Sequence, residues 1–373
     1  MKQNIQTHTM ELAGSSYEIG YRMGQMVEGI PPLLAHHTSG MKGFDAEKAR
    51  EAMVLFDRWC PGMVEELKGF ADALKVSAEQ VTYYGMTYLV PRCSQMALLP
   101  SVTVDGKPLL ARNYEFNHEF EDFCLMKTSV TGKYTHMATS VLHFGREDGF
   151  NEHGLAVTMS SCGFPVGAMP YMRVPKLKGL QYWAVIRALL ENCRDVEEGL
   201  AYLKEMPISF NINLILLDRA GRAALVETMD GQTAVKRIGP DSQEQMLCAA
   251  NHAVLPELAG LEPEVMKHSV RRYAYIQEQL AGRSGITRTQ LKNMLLSRYP
   301  EGLCCHYYEE FFGTTKSMVI SPADGTVELC WGGREENGWK LYDIAQPFSS
   351  GADMAQISLE KAAPGTFDWE KAK

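Results

Sequence analysis

Residues 93–116, which read CSQMALLPSVTVDGKPLLARNYEF, contain a thiol, a cation and a carboxylate that a β-hairpin would bring together. Cys93 opens an apolar segment, and an Asp-Gly turn at 105–106 sends the chain back along a second strand. That strand ends with Arg112 and Glu115, which the hairpin returns to the neighbourhood of Cys93. Because a neighbouring cation favours the reactive thiolate, the pattern predicts a nucleophilic cysteine.

Each of these residues also has an ordinary structural explanation. Most cysteines are small buried hydrophobic residues, and Arg112 with Glu115 is also compatible with a surface ion pair at a strand end. The nine cysteines are odd in number and dispersed, unlike a secreted disulfide framework. Cys304, Cys305 and His306 are adjacent, whereas chelating residues are usually spaced, so we expect packing and no metal site.

Composition narrows the class of protein. The chain has 373 residues, 45% of them hydrophobic, and a net charge of -8 without a basic block, so we expect no nucleic-acid partner. The first residues lack the apolar core of an export signal, and no apolar run is long enough to cross a bilayer. We therefore expect a cytoplasmic protein without a membrane partner. The sequence leaves its oligomeric state open.

The pattern of apolar residues divides the chain at Cys93. Residues 1–92 are predicted to be mostly helical, with apolar residues at three- and four-residue steps in 46–59 and 64–74 and a capping box at 77–80. Beyond Cys93, strands predominate and helices are predicted at 180–193, 264–280 and 288–298. The stretch from Ser349 is expected to wrap the surface. This order of elements predicts the α+β class.

The hairpin resembles the start of the mature chain in the penicillin acyltransferase-like and choloylglycine hydrolase group of N-terminal-nucleophile hydrolases. In that group a strand opens with the catalytic cysteine and the next ends in Arg-Asn-aromatic-Asp. Here Glu115 stands for the aspartate, and Arg92 stands where many relatives have glycine. Further segments resemble the family in the expected order: Asn213–Asp218 (NLILLD), Asn251-His252, Ser269–Tyr273 (SVRRY), Ser317–Ile320 with the turn at 324–326, and Tyr17–Gly24 (YEIGYRMG).

The resemblance implies a fold and a processing step. The fold is the four-layer αββα sandwich, with two largely antiparallel sheets between helical layers. The catalytic cysteine of the family stands at a chain start, so a cysteine at position 93 implies a precursor that cuts itself between Arg92 and Cys93. Residues 1–92 would then form a helical pro-segment or small chain packed on the same domain, and residues 93–373 the catalytic chain. After cleavage the pro-segment would either remain packed or leave the pocket.

The resemblance also implies roles for individual residues. Cys93 is the nucleophile, and its freed α-amine is the proton acceptor, since the two groups titrate within about one pKa unit when unperturbed. Arg112 lowers the thiol pKa, and Glu115 orients either Arg112 or the α-amine. The Asn213 amide points at the nucleophile and stabilises the oxyanion. Supporting residues are Asn113, Asn251, Ser269 and Arg272.

These roles imply hydrolysis or transfer of the acyl group of a small linear amide, such as an N-acyl amino acid. The acyl group passes to Cys93 as a thioester and then to water or to a second amine, and the sequence does not decide between them. No cofactor has a task in this scheme. Two alternatives stay open: an unprocessed, catalytically idle relative that binds a small amide or a protein partner, and a papain-type hydrolase that pairs Cys93 with His252.

Overall fold

The structure is a computed structural model that describes residues 1–28, 31–38, 45–85, 90–167 and 172–372. Five helices precede Cys93 in these ranges, and five follow it. They are α1 (Ser16–Glu28), α2 (Pro31–Thr38), α3 (Ala46–Trp59), α4 (Met63–Leu74), α5 (Ala78–Gly85), α6 (Tyr182–Asn192), α7 (Val196–Leu203), α8 (Pro256–Ala259), α9 (Lys267–Leu280) and α10 (Arg288–Leu296). Short 3-10 helices lie at Pro100–Val102, Tyr308–Glu310 and Glu335–Asn337.

The strands run the length of the chain, including its two ends. They are β1 (Lys2–Gly14), β2 (Arg92–Leu98), β3 (Leu109–Phe116), β4 (Cys124–Val130), β5 (His136–Val141), β6 (Gly145–Arg146), β7 (Asp148–Asn151), β8 (Leu155–Ser161), β9 (Ile212–Asp218), β10 (Ala223–Met229), β11 (Gln232–Ile238), β12 (Met246–Ala249), β13 (Glu264–Met266), β14 (His306–Tyr307), β15 (Phe312–Ser321), β16 (Thr326–Trp331), β17 (Lys340–Asp343), β18 (Gly351–Ser358) and β19 (Trp369–Lys371).

Polar residues at the helix starts explain where several helices begin. Asp45 accepts hydrogen bonds from the backbone N–H groups of Glu47 and Lys48 at α3, which satisfies donors that the first turn leaves free. Asp195 does the same for α7, and Ser77 for α5, where it accepts from the N–H of Gln80 at 3.1 Å.

Two sheets contain most of the strands. The larger has ten strands in the order β11-β10-β9-β8-β7-β5-β4-β1-β18, with β6 beside β5. The smaller has seven strands in the order β12-β2-β3-β15-β16-β17, with β14 beside β15. All pairings within them are antiparallel except that of β1 with β4. The hairpin of β2 and β3, which contains Cys93, therefore lies in the interior of the smaller sheet.

Three apolar cores separate four layers. One core joins helices α1, α3, α4, α6 and α7 to the outer face of the larger sheet. A second lies between the sheets, and a third joins the smaller sheet to α9 and α10. Central strands such as β9 (INLILLD) are buried on both faces, which explains their nearly continuous apolar sequence. The α+β class and the αββα sandwich are confirmed.

The N-terminal segment is part of this sandwich. Strand β1 lies between β4 and β18, so both ends of the chain contribute to the larger sheet. The sequence pattern does not predict β1. The stretch from Ser349 lies at the surface as expected, but part of it forms the edge strand β18, which pairs with β1. Both strands are rich in polar residues and are exposed or partly exposed over most of their length, so their sequences lack the regular apolar alternation that predicts a strand.

A buried ion pair also connects the N-terminal segment to the rest of the chain. Both Nη atoms of Arg187 in α6 donate to the carboxylate of Glu66 in α4, and Nε donates to Glu191 at 2.7 Å. Arg187 Nη1 also donates to the Phe144 carbonyl at 2.5 Å. Removing one partner of such a pair typically costs about 3–5 kcal/mol, because the other charge stays buried. No helix in the described ranges is long and apolar enough to span a membrane.

Candidate active site

The pairing of β2 with β3 decides which side chains share a face with the thiol. Cys93 lies opposite Tyr114, and Gln95 lies opposite Arg112. Directly opposed residues of an antiparallel pair project to the same side, so these four side chains occupy one face of the sheet. Gln95 donates to the Asn213 carbonyl in β9 at 2.8 Å, which shows that this face looks toward the larger sheet.

The thiol of Cys93 is in contact with a fixed guanidinium group. Arg112 donates from Nη2 to Cys93 Sγ at 3.1 Å. Its Nη1 donates to Asp148 Oδ2 at 2.5 Å and to the Glu147 carbonyl at 2.8 Å, and its guanidinium lies 4.7 Å from the ring centre of Tyr114. All five residues are buried. The predicted proximity of Arg112 to Cys93 is therefore present, and Asp148 anchors the cation.

Burial dominates the protonation state of the thiol in the intact chain. Loss of solvation raises the Cys93 pKa to about 11, and the positive charge of Arg112 opposes this effect. The carboxylates of Glu115 and Glu147 raise the pKa further. In the uncut chain the thiol is therefore protonated at neutral pH.

Glu115 does not hold Arg112, contrary to one of the roles proposed for it. Its carboxylate accepts from Arg272 Nη1 at 3.3 Å and from Thr314 Oγ1 at 3.4 Å. Residues three apart in a strand face opposite ways, so Glu115 projects toward α9 while Arg112 projects toward the larger sheet. Burial raises the Glu115 pKa to about 7, against the lowering effects of Arg272 and Arg112. Its other proposed role, orienting the freed α-amine, stays a prediction.

The backbone of Cys93 is held by Asn251, which follows β12, and by residues of α9. Asn251 Oδ1 accepts from the Cys93 N–H at 3.2 Å, and Arg272 donates to the Cys93 carbonyl at 2.8 Å. Arg272 also donates to Asn251 Oδ1 at 2.6 Å, and Ser269 Oγ accepts from the Asn251 N–H at 2.7 Å. Three of the predicted supporting residues thus form one network around the backbone of Cys93.

Asn213 and Asn113 have other partners. The Asn213 amide donates to the carbonyls of Ala250 and His252 at 3.1 and 3.3 Å and to Ser160 Oγ at 3.3 Å. It thereby holds the segment that carries Asn251, and its role at the oxyanion stays a prediction. Asn113 donates to the Leu295 carbonyl at 2.7 Å and fastens α10 to β3.

The structure does not pair Cys93 with His252. The His252 ring is 2.7 Å from Ser269 Oγ through Nδ1. Burial, with Arg272 nearby, lowers the His252 pKa to about 4, so the ring is neutral. The papain-type alternative is wrong for this arrangement, because the partner of the thiol is a guanidinium group.

Several residues at the site were missed from the sequence. Asp148 and Glu147 anchor Arg112, and Lys316 in β15 binds the Glu147 carboxylate and Glu121, the latter at 3.1 Å. Ser161 at the end of β8 contacts Asn251 Nδ2 through its carbonyl and its hydroxyl, each at 3.0 Å. The sequence signal for Glu147 and Asp148 was that two acidic residues follow each other between two predicted strands. Acidic side chains that become buried need partners.

The cysteine-histidine segment near residue 305 shows packing contacts. Cys305 Sγ lies 3.2 Å from His268 Nε2, and Cys304 Sγ donates to the Gly333 carbonyl at 3.2 Å. Across the ranges that the structure describes, no group of three or more His, Cys, Asp or Glu residues is arranged to hold a metal ion.

Comparisons with known proteins identify one family. Residues 102–336 match the acyl-coenzyme A:6-aminopenicillanic acid acyl-transferase family, a match that begins after Cys93 and includes β3. No curated protein is significantly similar to the chain. Among solved structures, a mutant conjugated bile acid hydrolase from Clostridium perfringens is 14% identical, with a TM-score of 0.45 over 69% of this chain and 96% of that one. Penicillin V acylase from Agrobacterium tumefaciens is 16% identical, with a TM-score of 0.38 over 64% and 83%.

Proposed function

The chain belongs to the acyl-coenzyme A:6-aminopenicillanic acid acyl-transferase family, and on that premise we propose that it is a self-processing amide hydrolase or acyltransferase with Cys93 as nucleophile. The observation that carries the proposal is the 3.1 Å contact between the Cys93 thiol and Arg112, whose guanidinium is anchored by Asp148. A buried cation held against one sulfur stabilises the thiolate that amide attack requires. The substrates are small linear amides such as N-acyl amino acids.

Processing precedes turnover in this proposal. The thiol of Cys93 adds to the Arg92 carbonyl carbon, the Arg92–Cys93 C–N bond breaks, and the thiol proton ends on the new α-amine. Water then hydrolyses the thioester, which releases the Arg92 carboxylate and restores the thiol. Asn251 Oδ1 and Arg272, which hold the Cys93 N–H and carbonyl, keep the backbone in place during these steps.

The freed α-amine serves as the base during turnover. An unperturbed α-amine titrates near ~7.7–8.0, so it takes the thiol proton at neutral pH and donates it to the leaving amine. Asn251 Oδ1 stays within hydrogen-bonding reach of this nitrogen and orients it. Hydrolysis and transfer then differ only in whether water or a second amine resolves the thioester. Residues 1–92 form the small chain, and residues 93–373 form the catalytic chain.

The intact mass of the purified protein under denaturing conditions tests the proposal. Two fragments divided between Arg92 and Cys93 are expected, together with release of amine from a panel of N-acyl amino acids. Cys93→Ala should abolish both, because one sulfur acts in both steps. Cys124→Ala is the matched control, since Cys124 is equally buried in β4. Amine release by Cys93→Ala at the wild-type rate would contradict the proposal.

The idle-relative alternative has one observation in its favour. The thiol of the intact chain is fully buried and its pKa is raised to about 11, which is typical of an unreactive structural cysteine. A wild-type protein that keeps one full-length mass and binds N-acyl amino acids without turnover would establish this alternative.

A further inference from the structure

The two residues before Cys93 both contact Ser161, the residue that also binds Asn251 beside the Cys93 backbone. The Pro91 carbonyl accepts a hydrogen bond from Ser161 Oγ at 2.7 Å. Arg92 is only 9% exposed, its Nη1 donates to Ser161 Oγ at 3.4 Å, and its guanidinium lies 5.5 Å from the ring centre of Phe312. The Pro91 carbonyl and the Arg92 side chain therefore share Ser161 as a partner, and the guanidinium has a second contact with the Phe312 ring.

These contacts come from rigidly placed side chains. Asn251 Nδ2 donates to both the hydroxyl and the carbonyl of Ser161 at 3.0 Å, while its Oδ1 accepts from the Cys93 N–H. The Phe312 ring stacks on Phe367 at 4.2 Å and meets the His268 ring edge-on at 4.9 Å. Ser161 is thus fixed by the network around the Cys93 backbone, and Phe312 by the rings of Phe367 and His268.

The surrounding charges suit a cation at this position. Arg92 lies directly opposite Glu115 across the β2–β3 pair, so the two side chains share a face. Burial, with contributions from Arg272 and Arg92, holds the His268 pKa well below its usual value, so the neighbouring ring carries no positive charge. The guanidinium therefore lies over an aromatic ring, on the sheet face that also carries Glu115, and the neighbouring His268 ring is neutral.

The chemistry of processing indicates which role the contacts of Pro91 and Arg92 have after the chain is cut. When the Cys93 thiol takes the acyl group of Arg92, the product is a thioester with a free α-amine on Cys93. This is the same chemical species as the acyl-enzyme formed from a substrate amide, with the N-terminal segment as its acyl group. Once the thioester is hydrolysed and the end of the segment withdraws from Ser161 and Phe312, these groups line the acyl subsite of the mature enzyme, even when the rest of the segment stays packed.

We propose that this acyl subsite binds a peptidyl group that ends in a side-chain cation, as in an N-blocked peptide amide of arginine. The inference rests on the proposed function and narrows its substrate class. Ser161 binds the carbonyl of the residue before the cation, Phe312 binds the cation, and the thiol attacks the carbonyl that follows. During processing, the segment that ends in Arg92, where many relatives have glycine, is then the first acyl group that the subsite binds.

A matched pair of fluorogenic peptides tests the subsite in the processed enzyme. One is acetyl-Val-Pro-Arg-aminomethylcoumarin, which reproduces residues 90–92, and the other has citrulline for arginine, with the same shape and no charge. We expect kcat/KM for the arginine peptide to be about 10-fold higher, because a desolvated cation over an aromatic face contributes on the order of 1–2 kcal/mol. Phe312→Leu should bring the ratio of the two peptides close to one.

The outcomes separate this inference from the function on which it rests. A processed enzyme that releases amine from N-acyl amino acids but cleaves both peptides equally, or neither, overturns the subsite and leaves the proposed function standing. A chain that neither divides at Arg92 nor hydrolyses any amide removes both. Should Phe312→Leu fail to fold, the ratio measured with the wild-type enzyme alone decides the question.

Discussion

Arg112 and Glu115 place opposite charges on the two sides of one strand beside Cys93. Arg112 contacts the sulfur from the side of the larger sheet, where Asp148 anchors it. Glu115 lies on the helical side, where it binds the arginine that holds the Cys93 carbonyl. The thiol and the backbone of the same residue are thus controlled by two separate ion pairs, Arg112–Asp148 and Arg272–Glu115.

Asp148 should act by positioning Arg112. In the mature enzyme we expect Asp148→Ala to lower kcat/KM about 100-fold, because small displacements of a catalytic group have effects of that order. Asp148→Asn can still accept the hydrogen bond, so it should lose much less activity. It should also move the acidic limb of the pH profile of kcat/KM to lower pH, since the guanidinium charge is then uncompensated. Equal losses in the two variants would exclude a positioning role.

The Glu115 carboxyl should make stability depend on pH. Its folded pKa of about 7 lies above the ordinary value of 4.5, so the folded chain binds more protons than the unfolded chain between these values. Its contribution to stability is complete below about pH 4.5 and is lost as the pH rises to about 7. Relative to Glu115→Gln, the free energy of unfolding should fall by about 1.4 kcal/mol per unit of pKa shift.

Urea unfolding at several pH values checks this expectation. Both proteins should carry Cys93→Ala, so that processing does not divide the chain during the measurement. Parallel stability curves for the protein with Glu115 and the one with Glu115→Gln would show that the carboxyl titrates normally.

Helices α1 and α4 dock through glycines that the sequence distributes along both. A Cβ atom on Gly20 would lie 1.9 Å from the Glu66 carbonyl oxygen, and one on Gly69 would lie 2.2 Å from that of Tyr17. These contacts involve backbone atoms, so neither helix can accept a side chain without separating. The close approach also fixes Glu66 for its ion pair with Arg187.

Gly20→Ala should therefore destabilise the protein through the docking of the two helices. We expect the free energy of unfolding to fall by about 3 kcal/mol, the upper range for overpacking a buried contact. Gly239→Ala is the matched control, because a Cβ there meets no atom within 4 Å. Chemical denaturation of both variants measures the difference, and similar midpoints would show that α1 and α4 are not tightly docked.

At the scale of the whole molecule, the N-terminal segment is an internal part of the fold. Strand β1 has neighbours on both sides in the larger sheet, and Glu66 binds Arg187 in the opposite chain of the proposed processed form. Losing the segment would expose two strand edges and leave the Arg187 charge buried with less compensation. Of the two fates considered for the pro-segment, the structure favours retention.

Residues 1–92 should stay bound after processing. Both fragments are expected in a single peak in native size-exclusion chromatography, and they should separate only in denaturant. Glu66→Gln should loosen this association, because it leaves one buried charge without its partner. Elution of the catalytic chain alone under native conditions would show that the segment leaves.

The sequence by itself identified the hairpin that contains Cys93, Arg112 and Glu115 as the candidate site. The Asp-Gly turn between the two strands placed Arg112 near Cys93. Asn251, Ser269 and Arg272 came only from the resemblance to a family, and the structure was needed to show that they meet in one network. Period-two alternation was also available from the sequence. This alternation already places residues 112 and 115 on opposite faces of the strand. The prediction that Glu115 orients Arg112 could therefore have been rejected from the sequence.

Only the tertiary structure decided the remaining contacts. Asp148 reaches Arg112 from the other sheet, and Ser161 reaches Pro91 from the end of β8, so both contacts depend on how the sheets stack. The position of β1 inside the larger sheet depends on pairing with a strand more than 340 residues away, as the partnership of Thr9 with Gly351 shows. Local propensity carries no information about such distant partners, because long-range pairing is determined by the packing of the complete core.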